Sequence, residues 1–204
     1  MPCGLTAAGR RAGIKTKDPM AEITVWTKQN RAVLDQLESN GRFIADERFI
    51  RRELEDTADI MLFIYSWLAN HMPAAADRPA DAKFPVWVSY EKEATMSPEP
   101  GYAVLELRVP AELVTRLDIA KWTRITNYSY IPADEEDEAE HNRYLNCLGT
   151  DNARAVMTRF YPELRQKIIS SWDRLFDDSI VLGSTSAYGL MWEVRKEWIQ
   201  NAVL

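Results

Sequence analysis

Three stretches of this chain carry side chains that could do chemistry. In "SWDRLFD", Asp173 and Arg174 adjoin apolar Trp172 and Leu175. Two readings are open there. Either the pair is an ion pair or cap locking a helix end to the sheet, or the planar fork of Arg174 holds a phosphate or carboxylate, with Asp173 or Asp177 orienting it. In "MWEV", Glu193 stands between Trp192 and Val194. On an alternating strand it points away from both. If that face is solvent, Glu193 is an ordinary surface acid; if it is a cleft, Glu193 is the best candidate for a fixed carboxylate. In "VWTKQ", Thr27 and Gln29 are two apart and share one side of a strand. A face carrying both cannot be a fully apolar core face unless each polar group finds a partner. It is read as the edge of a cleft. Trp26 and Trp87 are either core residues, as large aromatics usually are, or platforms on which a ring could stack.

Other chemistries lack their residues. Neither G-x-G-x-x-G nor G-x-x-x-x-G-K-[ST] occurs, and there are only eight glycines from which to build a phosphate loop. The two histidines, His71 and His141, form no H-E-x-x-H, and no paired-cysteine zinc signature exists, so no metal is expected. There is no G-x-S-x-G elbow. A two-carboxylate glycosidase is unspecific, because 31 acids offer many pairs. The run "DEEDEAE" at 134–140 reads as a loop or an exposed helix start. Metal sites draw carboxylates from separate elements instead.

The elements that must position these residues follow from periodicity. Residues 23–27 alternate as a strand. Asn30 is placed to cap the following helix, whose apolar face is Val33, Leu34 and Leu37, and Asn40-Gly41 stops it. The spacing of Ile50, Leu54, Met61, Tyr65 and Leu68 predicts one long helix over 47–72. Residues 73–83 read as a loop, 84–93 as a second strand and 102–110 as a third. Residues 111–132 are ambiguous: the first half suits a short helix, while the second is too rich in Thr, Asn, Ser and Tyr. A stripe of Val156, Phe160, Leu164, Ile168, Trp172 and Leu175 predicts helix over 152–177, with Pro162 starting a fresh helix or kinking one. A last strand is expected at Tyr188–Val194. The order gives no regular βαβ array and points to an α+β class with a mixed or antiparallel sheet.

Composition sets the outer limits. The chain has 204 residues, 46% of them hydrophobic and seven of them Trp, enough for a substantial core. Residues 21–204 are read as a single α+β domain. Residues 1–20 are read as a flexible basic tail, and Met20 is a second candidate start. A net charge of −6 gives no general field for nucleic acid. No apolar run approaches the ~20 residues that span a bilayer, so no membrane is expected. Cys3 and Cys147 are far apart in sequence, a usage that fits a reducing cytoplasm.

Two resemblances add to this. The stretches "TVWTKQ", "FPVWVS", "VLELRVP", "SWDRLFD" and "LMWEVRKEWI" resemble, in that order, an uncharacterised bacterial domain family of about this length. That resemblance covers most of 23–203 and implies no activity. The element order, from an opening strand that runs into a helix to a late strand with Glu, is similar to the ADP-ribosyltransferase superfamily. This implies a split antiparallel sheet with a helical insertion, clamping NAD as substrate in a cleft. Carried over, Thr27 or Gln29 would meet the NAD ribose or amide, Tyr90 or Ser184 and Ser186 would take the middle role, and Glu193 would be the carboxylate. Trp26 and Trp87 could stack on nicotinamide or adenine. Breaking the nicotinamide–ribose bond develops positive charge, which such a carboxylate stabilises. The expected His or Arg is missing from "TVWTKQ", and "GSTS" lies close to Glu193 for a separate strand. The expected partners are therefore a nucleotide or small molecule and a protein acceptor. The alternative is a non-catalytic nucleotide- or protein-binding module. Either reading places the first and last strands side by side.

Overall fold

The alternation of Ile23, Val25 and Thr27 builds strand β1 (Glu22–Asn30), which pairs antiparallel with β4 (Tyr102–Pro110) along its whole length, from Glu22 opposite Pro110 to Asn30 opposite Tyr102. The computed structural model describes residues 21–55, 58–95, 97, 99–183 and 186–204. The basic stretch 1–20 and Ser184 lie outside the described residues.

Between β1 and β4 come α1 (Ala32–Asn40), β2 (Arg42–Phe43), α2 (Glu47–Leu54), α3 (Ala58–His71) and β3 (Val86–Ser89). After β4 come β5 (Thr115–Asp118), α4 (Ile119–Thr126), α5 (Glu135–Leu148), α6 (Asn152–Met157), α7 (Pro162–Ser171), β6 (Ala187–Met191), β7 (Val194–Arg195) and β8 (Ile199–Val203). Six strands form one sheet in the order β5-β6-β3-β1-β4-β8, every pairing antiparallel, and β2 pairs with β7 in a separate ribbon. The protein is α+β.

Each face of the sheet has its own core. On one, Val25, Leu105, Leu107 and Val109 meet Val33 and Leu37 of α1 and Phe43 and Val194 of the ribbon. On the other, Leu117 and Leu190 meet Ile64 and Leu68 of α3, Ile168 of α7 and Trp172. Trp172 is fully buried, and its indole N–H donates to the Ser129 carbonyl at 3.0 Å. Period two along β3 and β6 divides these two sets: Val86, Val88 and Met191 belong to the first, Trp87 and Leu190 to the second.

The structure changes several sequence expectations. The helix expected over 47–72 is two, α2 and α3, with Glu55 at φ +43° ending the first. Of 84–93, only Val86–Ser89 is strand; a 3₁₀ turn follows at Lys92–Ala94. The ambiguous segment is strand β5 and then helix α4. Its hydroxyl and amide side chains are absorbed by the helix itself: Asp118 Oδ1 accepts from the Lys121 N–H at 2.9 Å, Thr123 Oγ1 donates to the Ile119 carbonyl at 2.9 Å, and Asn127 Nδ2 donates to the Thr123 carbonyl at 2.8 Å. Phe160 leaves its stripe and is 78% exposed, because it lies between α6 and α7. Pro162 starts α7 afresh. The acidic run opens α5, where negative charge suits a helix N-terminus. The strand expected at Tyr188–Val194 breaks at Trp192–Glu193, so that β6 joins the main sheet and β7 joins the ribbon. Neither β6 nor β8 is a neighbour of β1; those places belong to β3 and β4.

Candidate functional site: an opening in the sheet between β1 and β3

β1 and β3 meet at one register pair, Trp26 opposite Ser89, whereas β1 and β4 pair along all nine residues of β1. Beyond that pair the two strands part. Side-chain hydroxyls take over where the ladder stops: Thr27 Oγ1 donates to the Trp87 carbonyl at 2.7 Å, and Ser89 Oγ donates to the Trp26 carbonyl at 3.3 Å. Gln29 Nε2 in turn donates to Thr27 Oγ1 at 2.8 Å. The six-stranded sheet is therefore narrowly joined between β3 and β1, with a cavity of about 330 Å³ at that junction.

Both parities of β1 line that cavity: Trp26 and Lys28 from one face, Thr27 and Gln29 from the other. A continuous sheet would separate them. Phe43, Asp46, Tyr65, Trp87, Thr95 and Tyr102 also line the cavity. The walls are mainly apolar, with about a third of their residues aromatic and about a third polar. Trp87 lies 5.1 Å from Trp122 and 6.3 Å from Tyr65, ring centre to ring centre, so its ring is steadied from the helical side. The indole Nε1 of Trp26 is buried and has no hydrogen-bond partner. A buried donor in that state costs about 1–3 kcal/mol and calls for an acceptor.

Asp46 supplies a carboxylate at the wall, already engaged as the N-cap of α2. It accepts from the Arg48 N–H at 2.8 Å and from the Arg48 guanidinium, whose hydrogen bond is the main cause of a pKa below the usual Asp range.

The candidate residues divide between this cavity and other places. Thr27, Gln29 and Trp87 line it together. Glu193 does not. Its carboxylate sits between Arg42 Nε at 3.0 Å and Arg195 Nε at 2.7 Å, tying β2 to β7. Tyr90 is half-buried against the core on the α1 side, and burial pushes its phenol pKa up. Arg174 is committed elsewhere: one nitrogen donates to the Ile131 carbonyl at 2.6 Å, Asp137 Oδ2 at 2.8 Å and the Tyr130 hydroxyl at 3.1 Å. Arg174 ties the turn after α7 to α5 and the Tyr130–Ile131 segment, not to the sheet. Asp173 is exposed, 4.0 Å from His71 Nε2. The Ser186 carbonyl accepts from the Ile119 N–H at 3.1 Å. Asp46, Tyr65 and Tyr102 gave no sign in the sequence, since each comes from a different element and none sits in a motif. Among the described residues, no group of three or more His, Cys, Asp or Glu could hold a metal ion. No helix among them is long and apolar enough to cross a membrane.

Fold and site together define an antiparallel α+β domain with a ligand-sized opening in its sheet. The model of a family described as a domain of unknown function, DUF3841, matches residues 24–200, and the chain belongs to that family. No curated protein and no solved structure matches it. The likeness to the ADP-ribosyltransferase superfamily finds no support in these matches.

Proposed function

We propose that this domain binds a planar, hydrogen-bonding small molecule, a nucleotide or a part of one such as NAD, in the opening between β1 and β3. One observation carries this reading: the strands part around a cavity, about a third of its lining residues aromatic, into which both faces of β1 project. Trp87 and Tyr65 suit the flat faces of a ring, and Thr27 and Gln29 suit its edge. The free exposed thiol of Cys147 suits a reducing compartment, the cytoplasm.

Binding is tested by thermal unfolding and calorimetry with adenosine, AMP, nicotinamide and NAD. A ligand present at about 100 times its Kd stabilises the fold by about 2.7 kcal/mol. Trp87→Ala abolishes that shift if the ring stacks there. A set of unshifted melts overturns the reading.

ADP-ribosyl transfer from NAD to a protein acceptor is the catalytic form of the same proposal. What favours it is the single register pair between β1 and β3 beside the cavity, with three strands of the sheet on either side of that junction. It requires a carboxylate at the ribose, and Glu193 would have to leave Arg42 and Arg195 to serve. Nicotinamide release from NAD, followed for the parent and for Glu193→Gln, decides it. Release that depends on Glu193 supports catalysis; no release leaves the binding module.

A further inference from the structure

Lys28 is the cation of this cavity, and its surroundings are unusual for a surface lysine. It leaves β1 on the same side as Trp26, and its side chain is only 11% exposed. Its ammonium lies 5.1 Å above the centre of the Tyr102 ring and 3.0 Å from Glu99 Oε1. Glu99 itself is 56% exposed and stands on the turn before β4. So the charge that is costly to bury is held at the cavity wall, while its partner reaches in from solvent. An ion pair with one solvated member contributes about 0–1 kcal/mol, too little to resist a better-placed anion.

The cavity is electrostatically lopsided. At the α2 end, Asp46 repels an anion and has its own guanidinium partner in Arg48. At the Tyr102 end stands Lys28. Beyond Tyr102 lies a second hollow of about 320 Å³, which shares Tyr102 with the cavity and carries Glu99 and exposed Arg31 on its walls. A ligand with its ring between β1 and β3 and its charged group toward Tyr102 would therefore meet Lys28 and then Arg31.

Resting on the proposed ring site, we infer that the ligand carries an anionic group, a phosphate or a carboxylate, which takes the place of Glu99 on Lys28. Glu99 is the internal competitor: it keeps Lys28 paired while the cavity is empty and swings outward when the ligand enters. The competition sets both affinity and selectivity. Neutral rings leave the Lys28–Glu99 pair intact, and anionic ones exchange it for a pair in drier surroundings, where charge-assisted hydrogen bonds are stronger.

The test uses two matched pairs of probes on the full chain, followed by calorimetry: adenosine against AMP for phosphate, and nicotinamide against nicotinate for carboxylate. The anionic member of at least one pair is expected to bind at least about tenfold more tightly. Lys28→Met should erase that difference while sparing the neutral probe. Glu99→Gln lies on an exposed turn and leaves the core untouched; it should tighten only the anionic probe, by several-fold. The pair that responds identifies the anion. Equal binding of both members, unchanged in both variants, overturns this inference and leaves the ring site standing. No binding of any probe overturns both.

Discussion

Thr27 Oγ1 and the Trp87 carbonyl are joined at 2.7 Å across the place where β1 and β3 separate, so one side-chain hydroxyl spans a gap that backbone amides leave. Thr27 is buried at 2% exposure, and it also accepts from Gln29 at 2.8 Å. Replacing it with Val keeps the shape and strands two half-buried polar partners, the Trp87 carbonyl and the Gln29 amide. Thr27→Val should cost about 1–3 kcal/mol in denaturant unfolding, while Thr27→Ser should cost less because the hydroxyl survives. A larger loss in Thr27→Ser than in Thr27→Val would show that the methyl group, not the bridge, matters.

Glu193 holds Arg42 and Arg195 and so fastens β2 to β7. Its side chain is 13% exposed, but both guanidinium groups are substantially solvated. Glu193→Gln is expected to lower stability by about 1 kcal/mol in low salt, and by less in high salt, where the parent's own ion pairs are screened. A loss that does not depend on salt would point to packing of the ribbon instead.

His141 should make stability depend on mildly acidic pH. It is buried, its ring stacks on Tyr130 at 4.1 Å, and Nε2 faces Asn152 Oδ1 at 2.7 Å. Burial is the main force holding its pKa below the usual His value; the Asn152 contact and nearby Asp137 and Glu138 oppose that, and Lys167 adds to it. The unfolded chain therefore takes up the proton first. Stability is full above about pH 6.5 and falls as pH drops below it, toward the folded-state pKa. Denaturant midpoints measured from pH 7.5 to 5 should show this slope, and His141→Gln should flatten it. A parent profile already flat over that range would contradict the assignment.

Gly189 on β6 faces a crowded wall. A Cβ there would lie 2.5 Å from Val114 Cγ1 and 2.7 Å from Val88 Cγ2. Gly189→Ala should destabilise by about 1–3 kcal/mol through overpacking, with the midpoint of thermal unfolding as the readout. An unchanged midpoint would mean that Val114, just before β5, and Val88 of β3 give way freely.

Much of the fold was legible because it is local. The alternation in 102–110 gives β4, Gly41 at φ +72° stops α1, and Pro162 opens α7, each through a property of the residue itself. The break after α2 and the helix at Ile119–Thr126 were not legible. A positive φ at Glu55 and hydroxyls that fold back onto their own helix leave no periodic trace.

By itself, the sequence determined the α+β class, the strand face shared by Thr27 and Gln29, and the lack of phosphate-loop and zinc motifs. Only tertiary structure decided which partner each strand took. That choice put Trp87 beside Thr27, sent Arg174 to Asp137, and set Glu193 between two arginines. The physical reason is range. Periodicity records which side of an element is buried, but the sheet opening arises because β1 and β3, some sixty residues apart at the Thr27–Trp87 bridge, hold together at Trp26–Ser89 and part beyond it, and no nearest-neighbour pattern encodes where two distant strands diverge.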